Sequence, residues 1–404
     1  MPVYSDRAPG VYVEEVRGVP PIAGVSTSIA AFLGQVADDV EMPRDPKDQL
    51  LPLTPVNEPK PITNFDQFQN KFGKFSGELA EDDDDKLLTG NKLLAHAVYG
   101  FFLNGGTKCY VARAPDINGD VSEALAELEK IDEISLVAAP GARTQAVQDA
   151  IIDHCQRTMQ DRFAILDGQD TTDIDAAAIK GATKFSDYAG LYFPDLKVSD
   201  RTPDPTTGRP VAGRQISLPP SGHVAGIFAR VDQTRGVHKA PANESVAGAL
   251  GLDYLVTKNE QGSLNVAGIN VIRGFDGNIK VWGARTLGGD ANGEFKYVNV
   301  RRLFLFLRES IDEGTQFAVF EPNADPLWAK IRRTVTAFLT NVWRDGALFG
   351  NSPEEAFYVR CDETTNPPEV RELGLCITEI GVAVVKPAEF VIFRISQITG
   401  AGSE

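Results

Sequence analysis

The chain has 404 residues, too many for one compact core, and its 42% hydrophobic and 24% charged composition excludes wholesale disorder. The 40 Lys and Arg stand against 56 Asp and Glu, a formal net charge of −16. Such a field repels phosphate backbones and argues against direct nucleic-acid binding.

Val11, Tyr12 and Val13, after Pro9-Gly10, predict a strand that Pro20-Pro21 stops. Residues 29–36 read as a short buried strand. From Asp38 to Gly90 the chain carries 13 acidic and six basic residues, close to half the net charge. Prolines at 43, 46, 52, 55, 59 and 61 make this an acidic, Pro-rich surface insertion. The Asp82-Asp83-Asp84-Asp85-Lys86 run inside it reads as a solvated loop. Leu93, Leu94, Ala97, Val98, Phe101 and Phe102 then mark one face of a helix that stops at Gly105.

Regular alternation follows. Strands over 109–112, 134–139, 163–166 and 189–193 alternate with helices over 121–130, 143–159 and 173–180. That order predicts a parallel sheet covered by helices. After a Pro/Gly/Thr-rich excursion at 202–214, a helix starts behind Pro219-Pro220. Ser221 is its N-cap, and Val224, Ile227, Phe228 and Val231 form its apolar face.

The last third has a different plan. Two long amphipathic helices span 297–311 and 326–343, the second capped by Asp325 with Pro326 in its first turn. Trp328, Ile331, Val335, Phe338, Leu339 and Val342 form its stripe, while Lys330, Arg332 and Arg333 lie off it. Strand runs at 357–360, 375–385 and 390–398 close the chain. Helices followed by strands indicate α+β, so the fold class is α/β plus α+β.

Little in the chain resembles a reaction centre. Phosphate-loop, His-Glu-x-x-His, Gly-x-Ser-x-Gly and dinucleotide-binding glycine patterns are all missing. Cys109, Cys155, Cys361 and Cys376 include no Cys-x-x-Cys pair and read as reduced thiols rather than a disulfide framework or zinc site. His96 and His154 fall within helices, and His238 has no metal-ligand spacing to a partner. Ser221 and His223, with Asp167 at the carboxyl end of a strand, make the nominal hydrolase set. A helix-opening Ser and a turn-opening Asp are the simpler reading. No catalytic residue, cofactor or metal is expected.

Met1 to Gly10 lacks the basic-then-apolar pattern of a secretory signal, and no apolar cluster approaches the roughly 18–20 residues that span a bilayer. The expectation is a chain made in the cytoplasm, without a membrane anchor. Strands at both ends would be open edges, which invite pairing with another chain; a head-to-tail contact that does not close produces a helix.

The residues themselves carry a resemblance. Pro9-Gly10-Val11-Tyr12-Val13-Glu14-Glu15, Gly24-Val25-Ser26-Thr27-Ser28 and Ala31-Phe32-Leu33-Gly34 resemble the opening of phage tail sheath proteins. Similar runs are Phe101-Phe102-Leu103-Asn104-Gly105-Gly106, Pro219-Pro220-Ser221-Gly222-His223-Val224-Ala225-Gly226 and Gly236-Val237-His238-Lys239-Ala240-Pro241-Ala242-Asn243. Trp282-Gly283-Ala284-Arg285-Thr286-Leu287 and Val298-Asn299-Val300-Arg301-Arg302-Leu303 extend the match, through Phe320-Glu321-Pro322-Asn323 to Trp343. The short length is most like the sheaths of contractile injection systems.

The resemblance implies a parallel-sheet (subtilisin-like) middle domain without peptidase activity, over 91–290. It also implies a C-terminal helix-rich α+β assembly domain over 291–404, joined by the N-terminal strand. Residues 1–37 would supply the arm and strands of that assembly core, and 38–90 the insertion. Such a chain is a structural subunit that stacks as hexameric rings around an inner tube and contracts to drive the tube through a target envelope. Its partners would be itself, the inner tube protein, baseplate and terminal cap proteins, and sheath paralogues. The particle would be assembled in the cytoplasm, then released or docked to an envelope. Strand exchange between subunits falls to Val11, Tyr12, Val13, Glu14 and Glu15 at one end and Phe390, Val391, Ile392 and Phe393 at the other. Residues 18–21 and Lys386-Pro387 are the hinges. Lys330, Arg332 and Arg333 face either the inner tube or solvent. A subtilisin-like serine hydrolase and another self-assembling tube or shell protein are the alternatives.

Overall fold

The computed structural model describes residues 21–77, 91–114, 116–204 and 206–394. Its strands are β1 (Ala30–Gln35), β2 (Lys60–Ile62), β3 (Cys109–Ala114), β4 (Leu136–Ala138), β5 (Phe163–Asp167), β6 (Ala189–Phe193), β7 (Leu196–Ser199), β8 (Gln215–Leu218), β9 (Glu244–Ser245), β10 (Ala249–Leu252), β11 (Ile269–Phe275), β12 (Asn278–Val281), β13 (Phe357–Arg360) and β14 (Glu379–Val382). Its helices are α1 (Phe65–Phe72), α2 (Lys92–Leu103), α3 (Ser122–Leu128), α4 (Gln145–Asp153), α5 (Ala176–Lys180), α6 (Ser221–Arg235), α7 (Lys258–Val266), α8 (Val298–Thr315), α9 (Asp325–Arg344), α10 (Pro353–Ala356) and α11 (Pro368–Glu372).

Nine strands form one sheet in the order β2-β3-β1-β4-β5-β6-β11-β12-β9. The six from β3 to β11 run parallel, and β1 lies between β3 and β4, with Phe32 opposite both Val111 and Ala138. Parallel strands covered on both faces read as continuous apolar runs, and the middle of β1, Ala31-Phe32-Leu33, is such a run. Successive side chains still part to opposite faces. Phe32 joins Phe68, Phe101 and Phe228, so α1, α2 and α6 cover one side. Leu33 joins Leu125, Ile151, Ile179 and Leu264, so α3, α4, α5 and α7 cover the other.

Helices α2 and α6 meet at backbone distance. A Cβ at Gly222 or Gly226 would lie 2.5 or 2.4 Å from the carbonyl oxygens of Ala97 and Phe101, a space only glycine leaves free. A second, antiparallel sheet, β10-β7-β8, flanks this body, and the 202–214 excursion joins β7 to β8.

The C-terminal unit has its own core. Trp328, Ile331, Val335, Phe338, Leu339 and Val342 of α9 pack with Leu303 and Leu307 of α8 and with Ala356, Phe357 and Cys361. The start of the described chain belongs here too. Ile22 is buried in that core, and the Val25 N–H donates to Ser310 Oγ at 3.1 Å. Thus an extended segment from the N-terminal side lies along α8 before β1 enters the large sheet.

Several expectations change. The strand at 29–36 forms as β1, third of the nine strands of the large sheet. The insertion is not wholly superficial: β2 pairs with β3, and Phe68 and Phe72 of α1 are fully buried beside Val40 and Met42. Apolar residues at helical spacing outweigh the flanking prolines, and Pro61 is tolerated because β2 is an edge strand. The Asp82–Asp85 run lies outside the described residues. The helix expected over 143–159 is α4 as far as Asp153, continued as a π-helical stretch, His154–Met159, closed by left-handed Gln160. Ser221 and Asp325 are first helical residues rather than caps; Pro220 and Ala324 precede them. The run at 375–385 is a strand only over Glu379–Val382. Residues 390–394 form no strand, and Val11 to Glu15 lie outside the described residues.

Candidate subunit interface

The nominal hydrolase set assembles as a structural bond. Asp167, at the end of β5, accepts the Ser221 N–H and the Ser221 hydroxyl, both at 2.8 Å, and the Gly141 N–H at 3.0 Å. Burial pushes Asp167 up to about 6 against the pull of nearby Arg143. Ser221 is fully buried, and its hydroxyl donates to a carboxylate. No hydrogen bond among the described residues joins it to His223, whose ring packs on Gly100 with Nδ1 unpartnered. Burial and the neighbouring His96 lower His223 to about 4. A serine nucleophile needs an imidazole within reach and access to substrate; this one has neither, so the hydrolase alternative is not favoured. Among the described residues no three His, Cys, Asp or Glu side chains approach as metal ligands, and no helix is long and apolar enough to cross a membrane.

The surface chemistry gathers on the C-terminal unit. Strands β13 and β14 pair only with each other, antiparallel, with Phe357 opposite Val382 and Arg360 opposite Glu379. Each therefore keeps an edge without a strand neighbour among the described residues, a template for further main-chain pairing. Apolar side chains surround it: Phe349, Tyr358, Leu373, Leu375 and Ile377 are exposed. Phe390, Val391, Ile392 and Phe393 are 70, 68, 79 and 85% exposed among the described residues, four consecutive strand-forming side chains.

Directly before them the chain is clamped. Glu389 accepts from Arg285 Nε and Nη2, both at 2.8 Å, from Asn265 Nδ2 at 2.6 Å and from Tyr297 Oη at 2.9 Å. The Arg285 guanidinium is nearly buried and also donates to the Asn265 carbonyl and to Asp290. Bidentate Arg–carboxylate pairs fix direction as well as position. Burial opposes the charge on Glu389, yet the bonds from Arg285, Asn265 and Tyr297 outweigh it and hold the carboxyl below its usual 4.5. A folded pKa below the unfolded one gives stability that is complete above about pH 4.5 and lost as pH falls through the lower folded value. Glu389→Gln should weaken the clamp by about 1.5–3 kcal/mol, the scale of hydrogen bonds to a charged group. Nicking of 383–394 by a broad-specificity protease should then quicken about 10–100-fold. An unchanged nicking rate would show that the clamp does not hold the segment.

The basic residues of α9 are not equivalent. Lys330 Nζ sits 4.2 Å from the Phe317 ring centroid, and Arg332 Nη1 donates to the Cys361 carbonyl, so both are engaged within the unit. Arg333 is exposed. The turn between α8 and α9 adds Phe320, fully exposed at φ 65°, a conformation unfavourable for an aromatic residue. Neither Arg285 nor Glu389 stood out as a site residue, although Arg285 falls within the Trp282–Leu287 motif; 104 positions separate the pair.

Residues 117–287 match the phage tail sheath protein central domain, and residues 290–398 match the phage tail sheath C-terminal domain. A tail sheath protein of Vibrio phage KVP40 is 29% identical over 180 residues, covering 44% of this chain. The chain spans only 25% of the length of that relative in this match. The contracted PVC sheath complex of an extracellular contractile injection system, solved by cryo-EM, is 30% identical, with a TM-score of 0.73, covering 97% of this chain and 98% of that one. A chain of the cryo-EM anti-feeding prophage baseplate is 28% identical, with a TM-score of 0.73, covering 97% and 99%.

Proposed function

Belonging to the phage tail sheath family, this chain is a contractile-sheath subunit, and we propose that it polymerises as helically stacked hexameric rings around an inner tube, whose passage through a target envelope its contraction drives. The observation that carries the reading is the clamped, unpaired segment at 390–393, in a subunit that also keeps a two-stranded sheet with open edges. An extended apolar segment and a free edge are the two halves of strand addition between chains. When donor and acceptor sit on one subunit and the contact does not close, it propagates as a helix. The sequence Val11 to Glu15, opening with the strand-forming Val11-Tyr12-Val13, supplies a second donor. Main-chain pairing survives rotation of the subunit bodies where short linkers, 18–21 and Lys386-Pro387, join arm to core.

The large sheet is the subtilisin-like platform of a middle domain built on 91–290 and completed by β1 and β2, with the buried Ser221 and Asp167 serving packing alone. Residues 291–404 with the arm that precedes β1 are the assembly domain, and 38–90 are an insertion that lends β2 and α1 to the middle domain. Self-assembly and baseplate association extend to this chain from the particles in which its relatives occur. The inner tube, a terminal cap and sheath paralogues are further partners we propose, with assembly in the cytoplasm of the producing cell. Contraction needs no nucleotide: an extended lattice relaxes to one that buries more interface, two packings of unequal free energy. Lys330, Arg332 and Arg333 lie on the surface turned to the tube.

The test is negative-stain microscopy of the chain co-expressed with its tube protein. Striated cylinders of uniform width around a tube are expected, and a dispersed monomer would overturn the reading. Arg332→Glu with Arg333→Glu should leave cylinders that no longer retain the tube. Because Arg332 also binds the Cys361 carbonyl, Arg333→Glu alone is the cleaner variant; full tube retention in both would assign these residues to solvent.

A further inference from the structure

Two of the four cysteines, 15 positions apart and without motif spacing, meet in space. Cys361 directly follows β13 and is buried; Cys376, three residues before β14, is exposed. Their sulfurs lie 4.0 Å apart. The surrounding backbone is already fixed in place. Asn366 Nδ2 donates to the Ile377 carbonyl at 3.0 Å and Asn366 Oδ1 accepts the Ile377 N–H at 2.6 Å. The same Nδ2 lies 3.8 Å from Cys361 Sγ, and Arg332 holds the Cys361 carbonyl. A disulfide needs its sulfurs at about 2.05 Å, so closure asks for a shift of about 2 Å, which rotation of the exposed Cys376 side chain supplies. Cys109 and Cys155 are buried in the two layers of the large sheet and lack such a neighbour among the described residues.

We propose that Cys361 and Cys376 are an oxidisable pair that closes into an intrachain disulfide, with a low-molecular-weight disulfide as oxidant. The Cys376 thiolate attacks one sulfur of the oxidant, whose S–S bond breaks and releases one thiolate. Cys361 then loses its proton and attacks Cys376 Sγ in the mixed disulfide, releasing the second thiolate. Two protein thiols are oxidised, one small disulfide is reduced to two thiols, and the two protons pass to the leaving thiolates. The product ties the chain leaving β13 to the chain entering β14 and encloses α11 in a covalent loop. Tying these ends limits how far the two strands can part, independently of any lattice the subunit joins.

Burial and the adjacent Cys361 thiol push Cys376 up to about 11, so exchange at neutral pH is slow. The test therefore incubates the purified full chain for hours with excess oxidised glutathione, then counts thiols after denaturation and maps peptides without reduction. The expected result is a fall from four free thiols to two and a peptide linked through Cys361 and Cys376. Cys361→Ser should stop at glutathione attached to Cys376. Cys376→Ser should keep its three remaining thiols free, and as a change at an exposed position it preserves the test if the buried variant fails to fold. Four thiols after prolonged oxidation, glutathione resting on Cys376 of the unaltered chain, or a Cys376–Cys376 link between chains would each overturn the proposal.

Discussion

Removing residues 1–20 is expected to leave a folded, soluble subunit that forms no cylinders, and removing 390–404 should do the same. Ile22 stays in the core beside α8 and α9 after the first deletion, and the second removes side chains that are 68–85% exposed among the described residues. What disappears is the segment proposed to pair with a neighbouring subunit. Fully burying one Val, Ile or Phe side chain contributes about 1.5–3 kcal/mol, so the four residues at 390–393 represent about 6–12 kcal/mol of gross interface energy. Association has to offset lost rigid-body freedom of comparable size, so a subunit without these residues falls below the threshold for polymerising. Size-exclusion chromatography and negative stain read the result. Ordinary cylinders from either truncation would remove that end from the assembly mechanism.

Arg302→Ala is expected to destabilise the subunit by about 3–5 kcal/mol, the effect of leaving a buried charge without its partner. Arg302 and Asp232 are both 3% exposed and joined at 2.9 and 2.5 Å. The same guanidinium donates to the Thr27 carbonyl at 2.8 Å and lies 4.7 Å from the Phe228 ring centroid, while the Thr27 hydroxyl donates to Asp232 at 2.7 Å. One ion pair thus fastens α8, α6 and the segment leading into β1. Alanine would leave the Asp232 carboxylate, 3% exposed, without its charged partner. Urea denaturation measures the loss, and the pair Arg302→Met with Asp232→Leu should recover most of it, because an apolar pair leaves no stranded charge. A loss below about 1 kcal/mol in the single variant, the scale of a surface ion pair, would place water at the site.

The parallel body was legible because its strands are buried on both faces. Phe163 to Leu166 and Ala189 to Phe193 are unbroken apolar runs, and the helices between them carry stripes. Shorter elements escaped for identifiable reasons. The four-residue strands β7 and β8 alternate apolar with polar residues, but each is too short to stand out beside the Pro/Gly-rich loop between them. The hairpin of β11 and β12 has only Asp276-Gly277, both at positive φ, as its two-residue turn signal. Pro61 hid β2, since a proline excludes a central strand but not an edge one. At the candidate interface, the composition of 390–393 was readable, while the clamp behind it was not. Arg285 and Glu389, or Cys361 and Cys376, are brought together by tertiary folding, and no local spacing encodes those meetings. A strand whose partner belongs to another chain leaves only its composition in its own.

The clamp at Glu389 also decides where a pull is felt. A load on the segment beyond residue 389 meets Arg285 first, so tension enters the α/β body and bypasses β14. Only after that grip slips does the pull travel along 386–388 to residues 383–385, which are hydrogen-bonded to 347–349 and Ala356 next to the small sheet. Those three linking residues can extend to about 10 Å at most, which bounds the travel between the two points of load. The subunit is therefore wired as a two-stage coupling, stiff until one side-chain grip yields and compliant afterwards.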